Sequence, residues 1–383
     1  LRLPTENTLD REENIMAEWI TTTLEECTDI LGDGLHGTPK YTENGEYAFV
    51  NGNNLVDGEI LIKKETKRVD YSQYDKYKKP LTNRTILVSI NGTLGNVGVY
   101  GSEKIILGKR ACYFNVKESV DKDFIYYIVS SPTFKQYLES NATGTTIKNI
   151  SLKQMREYTF ELPEIGEQKR ISSVLRKIDE KIKNNRAINN NLEQQTQAIY
   201  SRMFIEHRQE SWSTGQLSDL ISVKYGKDHK KLADGNYPVY GSGGIMRYVE
   251  KPLYTGESVL IPRKGTLNNV IYVNEAFWSV DTMFYTEMLH PNIAKFVYHF
   301  VKSKDLASLN AGSAVPSMTT NILNAMQLYI PDEKTLEKFE NIVSPMYSAM
   351  QENTKESKIL ANTRDTLLPK LMSGELDVSD IDL

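Results

Sequence analysis

Apolar positions along residues 171–203 alternate in steps of four and three: Ile171, Leu175, Ile178, Ile182, Leu192, Ile199 and Met203, with polar Asn185, Asn189 and Thr196 on the same line. That rhythm is the seam of a coiled coil, narrower than the stripe of a helix lying on a globule. It predicts one helix entered after Pro163, with Glu164 and Glu167 in its first turn. From Ile171 to Met203 it would span about 50 Å at 1.5 Å per residue. A ridge of this kind needs a partner. Adding 168 to each number returns the seam as Phe339, Val343, Met346, Met350, Asn353, Ser357, Leu360, Arg364, Leu367 and Leu371. The same offset maps Leu162-Pro163 onto Ile330-Pro331 and Gly144-Thr145 onto Gly312-Ser313. The chain therefore reads as an internal duplication, and two copies favour a pseudo-twofold pair over a solenoid. The long helices are predicted to pair antiparallel. Partners whose numbers sum to 542 set Asn189 against Asn353, Asn185 against Ser357, Ile171 against Leu371, Leu175 against Leu367 and Ile199 against Val343, because polar seam positions fix register.

Outside the helices the periodicity falls to two. Short β-like runs at Tyr47–Val50, Ile60–Ile62, Ile86–Ile90, Val97–Tyr100 and Ala111–Val116 alternate with Gly/Asn turns, and one helix is predicted over Asp123–Leu138. After Trp212 the order repeats: strands near Tyr237–Tyr240, Ser258–Ile261, Val270–Val273 and Thr282–Thr286, then a helix near Ile293–Val301. The expected class is α+β: two similar globules joined by two long helices in an intramolecular antiparallel coiled coil. The divisions are 1–18 as an extension, 19–162 as the first globule, 163–210 as the first long helix, 211–331 as the second globule, 332–372 as the second long helix and 373–383 as an acidic tail. Residues 1–15, ahead of Met16, are read as a tag remnant or frayed extension.

Composition changes this picture little. Cys27 and Cys112 cannot build a disulfide framework, and no apolar run approaches the roughly 20 residues of a membrane span, so a cytoplasmic setting is expected. The net charge of −4 is unevenly placed: residues 1–18 carry −3 and the last eleven −4, which leaves +3 on 19–372. That neither demands nor excludes a nucleic-acid partner.

Three kinds of loop carry candidate chemistry. In Gly34-Leu35-His36-Gly37-Thr38-Pro39-Lys40, glycines permit close backbone approach while His36, Thr38 and Lys40 offer donors. A plain surface turn uses the same residues. Asn91-Gly92-Thr93 after Ser89 is echoed by Arg263-Lys264-Gly265-Thr266; small and cationic residues at a strand end suit phosphate, and hairpin turns look alike. Thr145-Thr146-Ile147-Lys148 is echoed by the stretch reaching Ser317 and Thr319, whose hydroxyls also suit helix caps. Lys227, His229 and Lys230 beside Ser242 form a local basic cluster of the sort usually found on solvated faces.

No phosphate-binding Gly-x-x-x-x-Gly-Lys-Ser/Thr loop occurs, and five histidines and two cysteines show no zinc spacing. Asp332-Glu333-Lys334 reads as first-turn acids of the second long helix. No methyltransferase cofactor loop or Asn/Asp-Pro-Pro-aromatic tetrapeptide is found, and no catalytic set is assigned.

The order of globule and long helix, twice over, resembles the DNA-specificity subunit of type I restriction–modification systems. The likeness runs over residues 19–372. It is carried by Gly37-Thr38-Pro39, by Leu162-Pro163-Glu164 through Glu167-Gln168-Lys169-Arg170-Ile171, by Tyr240-Gly241-Ser242-Gly243-Gly244, by Gly265-Thr266 and by Phe277-Trp278-Ser279-Val280-Asp281-Thr282-Met283-Phe284. Pro331-Asp332-Glu333-Lys334 departs from the pattern in lacking the Gln. The resemblance implies a non-catalytic subunit in which each globule is a target-recognition domain reading one half of a two-part site on double-stranded DNA. The helices would set the gap between the halves. Two methyltransferase subunits would dock and bring S-adenosylmethionine, and restriction subunits would bring ATP and Mg; this chain would hold no cofactor and no metal. The DNA contacts it implies are His36, Thr38, Lys40, Asn91, Thr93, Lys109, Arg110, Thr145, Thr146 and Lys148 in the first globule. In the second they are Lys227, His229, Lys230, Ser242, Arg263, Lys264, Thr266, Ser317 and Thr319. A self-sufficient DNA-modifying enzyme and a coiled-coil adaptor that ignores DNA remain as alternatives.

Overall fold

The computed structural model describes residues 19–144, 147–309, 317–376 and 378. The expected extension at 1–15, the Gly312-Ser313 echo and most of the acidic tail lie outside these residues. The chain divides into two units: unit 1 holds the chain up to Lys183 and again from Glu356, and unit 2 is the continuous stretch Asn184–Lys355.

Unit 1 is built on an antiparallel four-stranded sheet in the order β2-β10-β7-β8: β2 (Thr28–Asp33), β10 (Ala111–Val116), β7 (Thr85–Ser89) and β8 (Val97–Val99). Beside it lies a smaller sheet of β6 (Arg68–Val69), β3 (Tyr47–Val50) and β9 (Ile105–Leu107), in which β3 and β9 run parallel. β4 (Leu55–Val56) and β5 (Glu59–Ile60) make a short hairpin. β1 (Ile20–Thr23) pairs with β11 (Thr159–Leu162) and closes the unit where its chain enters and leaves, Ile20 opposite Leu162. Helices α1 (Tyr71–Tyr77), α2 (Lys122–Ser130), α3 (Pro132–Asn141) and α4 (Leu152–Arg156) complete the domain. Ile86, Val88, Cys112 and Phe114 of the sheet bury against Phe124, Ile125, Phe134 and Leu138. The two long helices, α5 (Ile165–Tyr200) and α8 (Glu333–Met372), add Ile171, Leu175, Leu368 and Leu371 to the same core.

Unit 2 has a six-stranded sheet in the order β13-β18-β16-β17-β14-β15, made of β13 (Ile221–Tyr225), β14 (Asp234–Gly241), β15 (Gly244–Val249), β16 (Tyr254–Pro262), β17 (Ile271–Ser279) and β18 (Met283–Met288). β12 (Ser213–Gln216) and β19 (Gln327–Ile330) close it as β1 and β11 close unit 1. α6 (Ala294–Lys302) covers the sheet, and α7 (Thr320–Asn324) precedes β19. Val259, Ile261 and Phe284 meet Phe296, Val297 and Val301, and the long helices contribute Tyr200, Phe339 and Val343.

Both units contain an antiparallel pair of helix halves. In unit 1 Arg364 bonds Asp179 at 2.7 Å and Lys181 reaches Glu356 at 3.2 Å, so numbers rise along α5 as they fall along α8. In unit 2 the Asn353 amide donates to the Asn189 side chain at 2.9 Å, and the Asn189 amide donates to the Met350 carbonyl at 3.0 Å. Every seam position of either unit is buried or half-buried, Ile182, Leu192 and Leu360 among them, while Ile188, Ile342 and Ile359, off the seam, are exposed.

Three local expectations are corrected. The single helix over Asp123–Leu138 is two: Ser131 ends α2 and caps α3, and Pro132 opens α3 because it has no N–H for α2 to use. The run Ile60–Ile62 pairs only at Ile60. The seam's last residue, Met203, lies in a π turn over Ser201–Glu206, beyond the end of the α-helical hydrogen bonding.

The fixed offset of 168 is also corrected. Equivalent hydrogen bonds in the two units fix true equivalences. Gly34 N–H reaches the Ala111 carbonyl as Gly226 N–H reaches that of Met283. Ile90 N–H reaches Arg110 as Arg263 N–H reaches Thr282, and Asn91 bridges Asn149 as Lys264 bridges Ser317. The separation thus falls from 192 (Gly34 and Gly226) to 173 (Asn91 and Lys264) and reaches 168 only at Asn149 and Ser317. Insertions in unit 1 account for the drift.

Candidate nucleic-acid interface

In unit 1 the C-terminal ends of β2 and β7 and the N-terminal ends of β10 and β8 share one edge of the sheet, because the ladder is antiparallel throughout. Three of the candidate loops leave from that edge, and backbone bonds tie them together. Leu35 donates to the Leu107 carbonyl at 2.6 Å, and Lys109 donates back to Leu35 at 3.0 Å. Ile90 donates to Arg110 at 3.1 Å, Gly92 to the Lys148 carbonyl at 3.0 Å, and the Asn91 amide to the Asn149 side chain at 3.1 Å. With backbone polar groups satisfied inside the edge, the side chains of His36, Thr38, Thr93, Lys109, Arg110 and Lys148 are left exposed. His36 also contacts the Asp33 carboxylate.

Glycine is required at two places. A Cβ on Gly34 would sit 2.3 Å from the carbonyl oxygens of Leu107 and Gly108, so any side chain there would push the chain leaving β2 away from the end of β9. Gly92 has φ +82°, a left-handed turn that brings Thr93 outward.

Unit 2 repeats the arrangement with different side chains. Gly226 faces the Val280 carbonyl at 2.0 Å from its notional Cβ, and Gly265 has φ +85°. Lys227 donates its N–H to Ser279 at 2.8 Å, and the Trp278 indole donates to the Lys227 carbonyl at 2.9 Å. Arg263 is half-buried with its guanidinium 5.4 Å from the Tyr225 ring centroid, and donates to the Asp281 carbonyl at 3.3 Å. Asn269 donates to the Ser242 carbonyl at 2.8 Å and fastens the β14–β15 turn to the same edge. Lys227, Lys264 and Thr266 are exposed there, with Ser242 and Ser317 half-buried beside them. Each unit therefore presents a tied row of loops carrying cations, hydroxyls and amides. Such a row suits a polyanion read through base edges and phosphates.

Some candidates stand apart. Lys40 is exposed, but its N–H donates to Gln73 on α1, away from the edge. His229 and Lys230 lie on the crossing from β13 to the far end of β14, where Lys230 N–H is held by Asp228. Thr319 caps α7 by accepting from Ile322 at 3.3 Å. Thr145 and Thr146 lie outside the described residues. Among the described residues no three His, Cys, Asp or Glu side chains gather as a metal site, and no helix is long and apolar enough to cross a membrane.

Sequence reasoning missed one surface. Residues 63–79 carry Lys63, Lys64, Lys67, Arg68, Lys76, Lys78 and Lys79, interleaved with Tyr71, Tyr74 and Tyr77, around the short helix α1. The alternation of lysine with tyrosine was the available signal.

It also missed how the domains grip the helices. In unit 1 Tyr127 of α2 donates to Asp179 at 2.8 Å, and Arg364 holds the other oxygen of that carboxylate. In unit 2, at equivalent places, His299 of α6 meets the Tyr347 hydroxyl at 3.0 Å. Nearby, Lys295 is buried between Glu257 at 2.8 Å and Glu340 at 2.5 Å. Burial, together with the neighbouring Lys302 charge, pushes His299 down to about 4, so it is neutral at pH 7.

The chain matches the family model for the type I restriction modification DNA specificity domain twice, over residues 16–194 and 209–360. It is similar to the specificity subunit of the type I restriction enzyme MjaIX of Methanocaldococcus jannaschii, at 20% identity over 90% of this chain and 87% of that protein. A putative type I specificity subunit of Mycoplasma genitalium is 24% identical over 92% of this chain and 93% of its own length. Among solved structures, the type I restriction–modification S subunit from M. genitalium shares the fold. Its TM-score is 0.59 at 23% identity, with 95% of this chain and 98% of that one covered.

Proposed function

Since the chain belongs to the type I restriction–modification DNA specificity family, as the non-catalytic component that recognises DNA, we propose that its two loop edges each read one half of a two-part duplex sequence. The observation that carries this reading is the repeated edge. The same backbone bonds recur in both units while the side chains differ, half-buried Asn91 taking the place of exposed Lys264 and half-buried Leu35 that of exposed Lys227. A conserved frame with changed side chains is what two reading heads for different sequences require.

On this reading the paired helices set the gap between half-sites and dock methyltransferase subunits, which bring S-adenosylmethionine and the adenine chemistry. Restriction subunits with ATP and Mg complete the assembly in the cytoplasm. Within this chain, Lys109, Arg110 and Lys148 on one edge and Lys227, Arg263 and Lys264 on the other supply charge and donors, and the chain itself holds no cofactor.

The test is to express the full chain with its methyltransferase subunits and map methylated adenines across a genome. The expected result is a motif of two short specified halves around an unspecified gap. A single contiguous motif, or methylation with no motif, overturns the reading.

A further inference from the structure

Resting on that reading, we propose that the lysine- and tyrosine-rich segment Lys63–Lys79 of unit 1 holds the sugar-phosphate backbone of duplex DNA outside the half-site. Unit 1 would then grip a flank that unit 2 does not.

Four observations lead there. The first is charge: residues 63–79 hold seven Lys and Arg against three acids. Two of the acids are already engaged, Asp70 as the cap of α1 and Asp75 in a pair with Lys78 at 2.7 Å. Lys63, Lys64, Lys67 and Lys76 are exposed and form no ion pair with a carboxylate among the described residues. Unneutralised cations close together in one segment attract a polyanion and release its counterions on contact.

The second is the aromatic frame. Tyr47 of β3 stacks on Tyr74 at 4.0 Å between centroids, which pins α1 to the small sheet, and Tyr71 beside them is 61% exposed. Lys67 stands 4.6 Å from the centroid of Tyr41, and Lys76 stands 5.1 Å from that of Tyr77. The lysines are thus carried on a rigid base, with tyrosine hydroxyls among them that can donate to phosphate oxygens.

Continuity with the reading edge is the third. The loop bearing His36 runs through Thr38 to Lys40, whose N–H donates to Gln73 of α1 at 3.0 Å. Four residues of chain reach at most about 14 Å. That is about four base pairs of duplex at 3.4 Å each, so the segment lies within reach of a duplex held at His36.

The fourth is that the surface belongs to one unit alone. Val50 and Tyr240 occupy equivalent places, since Gly108 donates to one and Val280 to the other. Their separation is 190, and that of Asn91 and Lys264 is 173, so unit 1 carries 17 additional residues between these points. Unit 2 has there only the β14–β15 hairpin and the lead into β16.

The experiment compares the full chain, with its methyltransferase subunits, to the variant K63A/K64A/K67A/K76A and to the charge-preserving K63R/K64R/K67R/K76R. Binding is measured on two duplexes carrying the mapped site, one with 15 flanking base pairs on the unit 1 side and one ending at the half-site. Scrambled duplexes of both lengths give the sequence preference. The expected result is at least a tenfold loss for the alanine variant at 150 mM salt on the long duplex, and none on the short one. The slope of log K against log salt should fall by about 3 to 4 for four phosphates, and the arginine variant should behave as wild type. Sequence preference should stay unchanged in all three. Equal loss on both duplexes, or no loss on either, overturns the proposal. So does a variant that binds both duplexes normally and no longer retains its methyltransferase subunits, which would assign the surface to protein. A wild-type complex with no preference for the mapped site over scrambled DNA would instead remove the reading beneath the proposal.

Discussion

Asn353 and Asn189 face each other across the helix pair of unit 2, the Asn353 amide donating to the Asn189 oxygen at 2.9 Å. The Asn189 amide in turn serves the Met350 carbonyl and, at 3.1 Å, the Thr354 hydroxyl. Their numbers sum to 542, the register that the polar seam positions predict. Half-buried amides of this kind discriminate against slipped pairings, which lose these bonds.

Asn189→Ala should therefore destabilise the protein by about 1–2 kcal/mol, since it removes the bonds to Asn353, Met350 and Thr354. The double change N189L/N353L should recover most of that loss, because two apolar side chains meet in the seam. The measurement is denaturant unfolding of the wild type, both single variants and the double. A coupling of more than about 1 kcal/mol is expected, and simple addition of the two single losses would show that the asparagines do not act as a pair.

Asp179 is the hub on which α2 and both long helices of unit 1 meet, taking bonds from Tyr127 and Arg364. Asp179→Ala should cost about 2–3 kcal/mol, as hydrogen bonds to charged groups are lost in a half-buried place. Tyr347→Phe, at the equivalent position of unit 2, breaks a neutral contact to His299 and should cost nearer 1 kcal/mol. Equal losses in the two variants would refute this ranking.

His299 gives the protein a definite acid response. It is neutral in the folded state, its Nδ1 set against Gln197 at 2.9 Å and its Nε2 against Tyr347. Its folded pKa of about 4 lies below the unfolded value of 6.5, so between these values the unfolded chain binds the extra proton. Stability then rises with pH, is full above 6.5, and falls by up to about 3 kcal/mol on acidification to 4. The carboxylates Glu193 and Glu257, whose burial is more than offset by bonds from Lys302 and Lys295, are lowered and give way only below their usual 4.5. The span from 6.5 to 4.5 therefore belongs to His299. Unfolding midpoints of His299→Gln should be flatter than those of the wild type over that span; parallel slopes would refute the assignment.

Changes at one edge should spare the other half-site. Lys148→Ala or Lys109→Ala should alter recognition of one half of the motif, and Lys264→Ala the other. A base contact should cost about 1–3 kcal/mol and relax a single position, whereas a phosphate contact should weaken all sequences alike. Methylation mapping of each variant distinguishes these outcomes. Loss of both halves after either change would indicate one composite site.

The seam was legible because a repeat of four and three over ten positions has no competing reading, and its duplication was legible because the helices keep one spacing. The domains between them do not keep it. Their equivalence rests on backbone bonds such as Ile150 to Ile90 and Met318 to Arg263, which side-chain identity does not record. The Gly-Thr loops stood out as turns, yet only the fold shows that Leu35, Lys109, Arg110, Asn91 and Lys148 lie on a single edge. α1 was hidden because seven residues with three tyrosines favour a strand reading, whereas the Asp70 cap and the Tyr47 stack favour the helix. Ser131-Pro132 was plain in the sequence and was overrun by the apolar pattern on both sides.

Sharing each long helix between the units has a consequence for synthesis on the ribosome. Unit 2 is one uninterrupted stretch and has all its parts once Lys355 has been made. The core of unit 1 needs Leu368, Leu371 and Met372, about 200 residues after Ile171 and Leu175, with which they cluster. At roughly 5–20 residues per second, the apolar face of the first-made domain waits about 10–40 s for its closing helix. The domain translated first is thus the one completed last, and during that interval Ile171 and Leu175 are open to chaperones, or to the same segment of another nascent chain.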